Sequence, residues 1–319
     1  MDKTLPYYIH CFRHLNRDRK NGGAPHKPIL LLSVIDLFDK RTYSNGQIFI
    51  LPELVSSFRT IWNQLVETKH DINFAMPFYH MRSEPFWQLV PNLGFESWLE
   101  SKISMRSFAN LNIAVYCARI DDNLCQILNG KVERDILRSV ILDEYFPKTK
   151  YQFDSSMDLL PDASILNEST EEYKRTLSVL RAKLDAESYQ EEVFVRSGLF
   201  KREIPRIYDN TCAISKMRVN TLNFVSMVDA CHIVPFSEGS NDSLTNGIAL
   251  CPNLHRAFDR GLISVSDDYK VLVKSDFIEN INSPYNIIQF RGKEILLPKD
   301  KSKYPSIDNF RIHRKKFGF

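Results

Sequence analysis

The sequence predicts an α+β protein of two domains, and three observations predict it. Apolar residues recur at helical spacing near the start of the chain and again from Val132 to Tyr145, with short β-like pieces between them. A polar interval without periodicity follows. Beyond it, a short apolar run ends at Pro235, then comes a loop rich in Ser, Gly, Asn and Asp, then a second helical run: the pattern of a strand-loop-helix unit. At 319 residues, 43% of them hydrophobic, the chain is long enough for two cores.

The first domain, residues 1–150, reads as mixed α/β. A helix over Leu5 to Leu15 puts Tyr8, Phe12 and Leu15 on one face. Pro28 suits the first turn of a second helix, whose run from Ile29 to Phe38 is apolar enough to be buried. A third helix runs from Pro52 through Leu65. β-like pieces are expected at Phe74 to Arg82, Phe86 to Val90 and Asn112 to Ile120, with Phe78, Phe86 and Trp87 as core. A helix from Val132 to Tyr145 closes the domain, showing Ile136, Leu137, Val140 and Ile141 at helical spacing.

From Pro147 to about Glu168 the composition is that of a linker, and residues 151–187 are taken as linker with a helix. Two polar helices, Thr170 to Ala186 and Gln190 to Tyr208, lead into the second domain, residues 188–319. There Met227 to Val234 reads as a strand with His232 near its end, and Phe236 to Thr245 as a loop closed by Asn246. From Pro252, Leu254, Ala257 and Phe258 recur at helical spacing, with Gly261 as the stop. Alternating pieces at Leu262 to Val265 and Lys270 to Lys274 precede a proline-punctuated tail.

Residues four apart on a helix share a face, so His255 and Asp259 point at one space, and imidazole with carboxylate is a ligand set for a divalent metal. His232 would face them from the strand. Phosphodiester hydrolysis needs a base to activate water and a cation to stabilise charge on the phosphate and the leaving oxygen. This unit offers both.

The strings His232-Ile-Val-Pro235, Asn246-Gly-Ile-Ala-Leu-Cys251 and His255-Arg-Ala-Phe-Asp259-Arg-Gly261 resemble the HNH nuclease motif, whose fold is the ββα-metal fold. The resemblance implies a catalytic set of His232 as general base, Asn246 as the residue that fixes the loop, and His255 as a metal ligand, with magnesium or manganese as cofactor. One departure matters: many such enzymes carry an Asp or His ligand directly before the base, and this chain has Cys231 there. Asp259, on the helix face of His255, and Asp229, on the strand face of Cys231, are the candidates to complete the site. The alternative is a DNA-binding protein that keeps the ββα shape without catalysis.

Cysteine spacing argues against a structural zinc clamp: Cys212 is followed by Ala, Ile and Ser215, and Cys251 has no second cysteine at ligand spacing. The six cysteines read as reduced, buried thiols in a cytoplasmic protein, with no signal peptide and no membrane span. The net charge of +3 does not by itself mark a nucleic-acid binder, but basic residues cluster at Arg13 to Lys20 and at Arg311 to Lys316.

Two features of the first domain bear on recognition. Gly22-Gly-Ala-Pro25-His26-Lys27-Pro28 places a basic residue and backbone amides at a helix N-terminus, and Met76-Pro-Phe-Tyr79-His80-Met-Arg82 interleaves aromatics with cations. With Phe86-Trp87 and the closing Glu144-Tyr-Phe146-Pro147, these strings resemble the sulfur-binding domain of type IV restriction endonucleases that cut phosphorothioate-modified DNA. The resemblance implies a modification-dependent restriction endonuclease acting on double-stranded DNA. Tyr79, His80 and Arg82 are its leading DNA-binding candidates, then Pro25, His26 and Lys27, with Phe146 and Pro147 as pocket wall. A reader of another mark, such as modified cytosine, is the alternative within that class. A single active site cuts one strand at a time, so double-strand cleavage would call for a homodimer or two sequential events.

Overall fold

The computed structural model describes residues 3–100, 105–154, 166–219 and 226–319. The chain divides into a first unit, residues 1–161 with 184–195, and a second, residues 162–183 with 196–319. The middle of the expected linker, residues 155–165, lies outside the described residues.

In the first unit α1 (Leu5–Arg13) is followed by α2 (His26–Asp39), and every residue of α2 from Lys27 to Phe38 is buried. A helix apolar all round must sit in the centre of a core, and α3 (Pro52–Leu65) and α8 (Lys131–Tyr145) pack against it. Strands β1 (Gln47–Ile48), β2 (Trp87–Pro91) and β3 (Val115–Ile120) form an antiparallel sheet in the order β1-β3-β2, pairing Gln47 with Arg119 and Leu89 with Ala118.

The stretch Phe74 to Arg82 is not β-like. It forms α4 (Ala75–His80) and a following 3-10 turn, because Phe74, Ala75, Phe78 and Tyr79 bury one helical face and Asn73 Oδ1 accepts from the Met76 amide at 2.7 Å. After α5 (Glu96–Glu100), the start of the expected Asn112 to Ile120 piece is helical too, as the end of α6 (Phe108–Ala114), which Ser107 caps. A helix α7 (Asp122–Asn129), unexpected from the sequence, precedes α8. Phe78, Phe86 and Trp87 are core.

The second unit contains α9 (Thr170–Lys183) and the later part of α10 (Ala186–Ile207). Strands β4 (Asp229–His232) and β5 (Gly247–Leu250) form a two-stranded antiparallel ribbon that pairs Cys231 with Ile248 and His232 with Gly247. Between them the expected loop includes one turn of helix, α11 (Phe236–Gly239). Helix α12 (Pro252–Asp259) follows and ends before Gly261, whose φ of +66° is a left-handed conformation that suits glycine. A second ribbon, β6 (Ile263–Val265) with β7 (Val271–Val273), comes next. The tail is not irregular throughout: it ends in α13 (Ile307–Phe317), capped by Ser306 and packed on β6.

A single glycine sets the spacing between α10 and the first ribbon. A Cβ on Gly247 would lie 2.1 Å from Ile204 Cδ1 and 2.9 Å from Phe200 Cε2, so any other residue would force these two buried side chains to shift or the helix to move away.

Candidate functional site

The pleat of β4 puts Asp229 and Cys231 on one face and turns His232 to the other. There the His232 ring stacks on Phe200 of α10, with centroids 4.0 Å apart and planes 10° from parallel. Its Nε2 lies 2.7 Å from Oδ1 of Asp242, which is fully buried. A carboxylate only accepts, so Nε2 carries a proton, and in the neutral ring the lone pair is on Nδ1. The other Asp242 oxygen accepts from the Tyr173 hydroxyl of α9 at 3.2 Å. Buried stacking and a fixed tautomer give His232 one orientation and one basic nitrogen.

Asn246 lies within the loop and does not line the cleft. Fully buried, it donates through Nδ2 to the carbonyls of Val234 and Asn241, each at 2.9 Å, and accepts from the Val234 amide at 3.0 Å. These bonds tie Val234, two residues past the end of β4, to the loop segment that carries Asp242.

Helix α12 presents His255 and Asp259 one turn apart. The His255 ring stands between two carboxylates: Nδ1 lies 3.4 Å from Asp229 Oδ2, and Nε2 lies 3.4 Å from Asp259 Oδ2. Cys231 Sγ, fully buried, is 3.9 Å from Asp259 Oδ1. Donor atoms of Cys231, His255 and Asp259 lie within 4.8 Å of one another, a group whose chemistry fits a divalent cation. His232, His255 and Asp259 together line a cleft of about 260 Å³, so the strand histidine and two of these donors meet in one space.

The cleft has a further wall from α13, which carries the basic run Arg311 to Lys316 that the sequence marks without placing it beside the motif. His313, Lys316 and Phe317 line the cleft. His313 is structural: its ring stacks on Phe258 at 3.9 Å, its nitrogens meet Ser264 Oγ and the Phe258 carbonyl, and burial pushes its pKa down to about 4, so it stays neutral. Sequence reasoning missed Asp242. It sits in a polar loop ten residues from His232, where no periodicity marks it. Cys212 and Cys251, scattered in sequence, are neighbours in space. The hydrogen bond from Cys251, aided by Ser215, holds the Cys212 thiol well below its ordinary range, while Cys251 is raised.

In the first unit, His26, Lys27, His80 and Arg82 come together with Arg17 around a cavity of about 620 Å³, which Met76 and Pro77 also line. His80 is held below its ordinary pKa by burial and then by the charges of Lys27, Arg82 and Arg106. Lys27 is committed to a buried ion pair with Glu84 and donates to Ser83 Oγ at 2.8 Å. His26 packs on Trp62 and meets the Asp71 carbonyl at 2.9 Å. Tyr79 does not line this cavity: its hydroxyl donates to the Leu99 carbonyl and the Arg82 guanidinium lies 4.1 Å over its ring. Pro25, Phe146 and Pro147 meet at a neighbouring hollow of about 300 Å³, which Arg17 and Lys148 also line.

Residues 212–266 match the family model described as HNH endonuclease, and over that segment the chain is similar to a family of nucleases. No curated protein matches the chain. Among solved structures it is similar to a chain titled "Modification dependent TagI restriction endonuclease", at 22% sequence identity and a TM-score of 0.30, over 39% of each chain. Among the described residues, no helix is long and apolar enough to cross a membrane.

Proposed function

We propose that this protein is a modification-dependent endonuclease: the first unit reads marked double-stranded DNA and the second hydrolyses a nearby phosphodiester with a divalent metal. The observation that carries the nuclease reading is the cleft where a tautomer-fixed His232 faces His255 and Asp259, inside the segment that matches the HNH family. His232 Nδ1 takes a proton from a water as that water attacks phosphorus. Asp242 holds the ring in register and stabilises the imidazolium that forms. His255 and Asp259 would hold the metal, which when bound supplies Lewis-acid stabilisation of the phosphate and the leaving oxygen. Asn246 keeps the loop, and with it Asp242, in place.

The mark we propose is a phosphorothioate. Sulfur is larger and less strongly hydrated than oxygen, so an apolar wall accepts it where a phosphate oxygen would lose its water without replacement. Pro25, Phe146 and Pro147 supply that wall, and Arg17, His80 and Arg82 beside it suit the neighbouring phosphates. Tyr79 would support the Arg82 guanidinium from beneath.

The two halves separate in one experiment on the full chain. With divalent metal, the wild type is expected to cut phosphorothioate plasmid in preference to unmodified plasmid. His232→Ala is expected to bind the modified duplex as tightly as the wild type and to cut neither. Equal affinity for matched duplexes with and without sulfur would remove the phosphorothioate assignment, and metal-dependent cutting by His232→Ala at the wild-type rate would remove the catalytic one.

A further inference from the structure

We infer that Cys231 is a metal ligand, making the centre a Cys231–His255–Asp259 site that selects a zinc-class cation, Zn²⁺ or Co²⁺, over Mg²⁺. The inference rests on the nuclease reading of the cleft and names the donor that the strand contributes to it.

Geometry favours Cys231 over Asp229 as the third donor. The two nitrogens of an imidazole point away from each other, so one ring orientation cannot direct both at one ion. Nε2 faces Asp259 and Nδ1 faces Asp229, each at 3.4 Å. A cation on Nε2 is therefore shared with Asp259, and Asp229 is left to accept the Nδ1 proton. That is the outer partner a metal-bound histidine ordinarily has, and it orients the ring. Cys231 lies on the Asp259 side, its Sγ 3.9 Å from Oδ1. Metal–donor bonds of about 2.0–2.3 Å at tetrahedral angles place donor atoms roughly 3.3–3.7 Å apart. The 3.4 Å spacing to Asp259 Oδ2 lies on such an edge, the 3.9 Å spacing runs to the other Asp259 oxygen, and one donor atom from each of the three residues lies within 4.8 Å of the others, so a cation would draw them a few tenths of an ångström to about 1 Å closer.

The chemistry of this donor set follows. Three protein donors leave a fourth position for water or a phosphate oxygen, the pattern of a catalytic rather than a structural centre. A thiolate is a soft ligand that favours zinc over magnesium, which prefers oxygen and holds its waters. On binding, the Cys231 S–H bond breaks, its proton leaves to solvent, and the sulfur lone pair forms the metal bond.

Cobalt as a spectroscopic probe tests this on the full-length protein. The Co²⁺-loaded wild type is expected to show a sulfur-to-cobalt charge-transfer band and the intense visible bands of a four-coordinate ion. Cys231→Ser is expected to lose the charge-transfer band and to bind Zn²⁺ at least about tenfold more weakly. Cys251→Ser keeps the band, which excludes the Cys212–Cys251 pair as its source, and Asp229→Asn keeps it too. Because Cys231 is buried, partly exposed His255 serves as a second variant: His255→Ala is expected to lose the band while the chain stays folded by circular dichroism. A wild-type spectrum without the band, or a band that survives Cys231→Ser, overturns the assignment, and a band that survives His255→Ala removes the site from this cleft. Plasmid cleavage supported by Mg²⁺ alongside such a spectrum would leave the nuclease reading standing and remove only Cys231.

Discussion

Replacing Asp242 with Asn tests whether the buried carboxylate behind His232 matters to the chemistry. The change is nearly isosteric, so packing around Tyr173 and Phe200 is kept. What is lost is a hydrogen bond at 2.7 Å to a ring that, in the proposed reaction, carries positive charge as it takes a proton from water, where the bond is charge-assisted. A hydrogen bond to a charged group contributes about 1.5–3 kcal/mol. At about 1.4 kcal/mol per factor of ten in rate, its loss in the transition state slows cleavage by roughly 10- to 150-fold. If the Asn amide turns its NH₂ toward Nε2, the proton moves to Nδ1 and the loss is larger, because the basic nitrogen is then occupied. The assay is single-turnover cleavage of a defined duplex at saturating metal, with duplex affinity measured in parallel. Affinity is expected to stay the same while the rate falls. A variant that cuts within twofold of wild type would refute the idea that Asp242 positions the base.

Three further outcomes follow from the same geometry. Asn246→Ala leaves the Val234 amide and the Val234 and Asn241 carbonyls buried without their partner, so urea unfolding should show a loss of about 2 kcal/mol or more, and cleavage should fall with it. Chelating divalent metal should abolish cleavage of the marked duplex by wild type while leaving duplex binding measurable, and cutting that persists in chelator would contradict a metal-dependent reaction. Burial raises Glu191 of the first unit to about 7 from an ordinary 4.5, so the folded chain keeps a proton there that the unfolded chain releases. That contribution to stability is complete below about pH 4.5 and is lost as pH rises through 7, on the order of 3 kcal/mol; Glu191→Gln should flatten the pH dependence of urea midpoints over this window.

The strand-loop-helix was legible because each of its signals is local. Pro235 ends a strand, Pro252 opens a helix, Gly261 stops it, and the i,i+4 spacing alone puts His255 beside Asp259. What was not legible depends on contacts distant in sequence. Asp242 meets His232 only because Asn246 folds the loop back, and Phe200 reaches the ring from a helix more than thirty residues away. The Phe74 to Arg82 segment was misread for another reason: Pro77 and interleaved aromatics imitate a strand edge, while the Phe74 and Phe78 pair that makes it a helix is persuasive only once both are seen buried. Cys231 looked like a gap in the motif because an aspartate or histidine was expected there; three-dimensional proximity makes it a donor candidate instead.

Gly247 has a consequence for how variants of this protein would be distributed. It binds nothing in the cleft and bears no chemical group, yet it faces His232 across the ribbon and leaves the room that Ile204 and Phe200 fill. In a saturation library selected for cleavage, position 247 should tolerate almost no replacement, and alanine, one carbon larger, should already be depleted. Second-site changes that recover it should shorten Ile204 rather than alter any polar residue. A position that would be scored as part of the catalytic signature is thus a record of how near a helix stands to a strand.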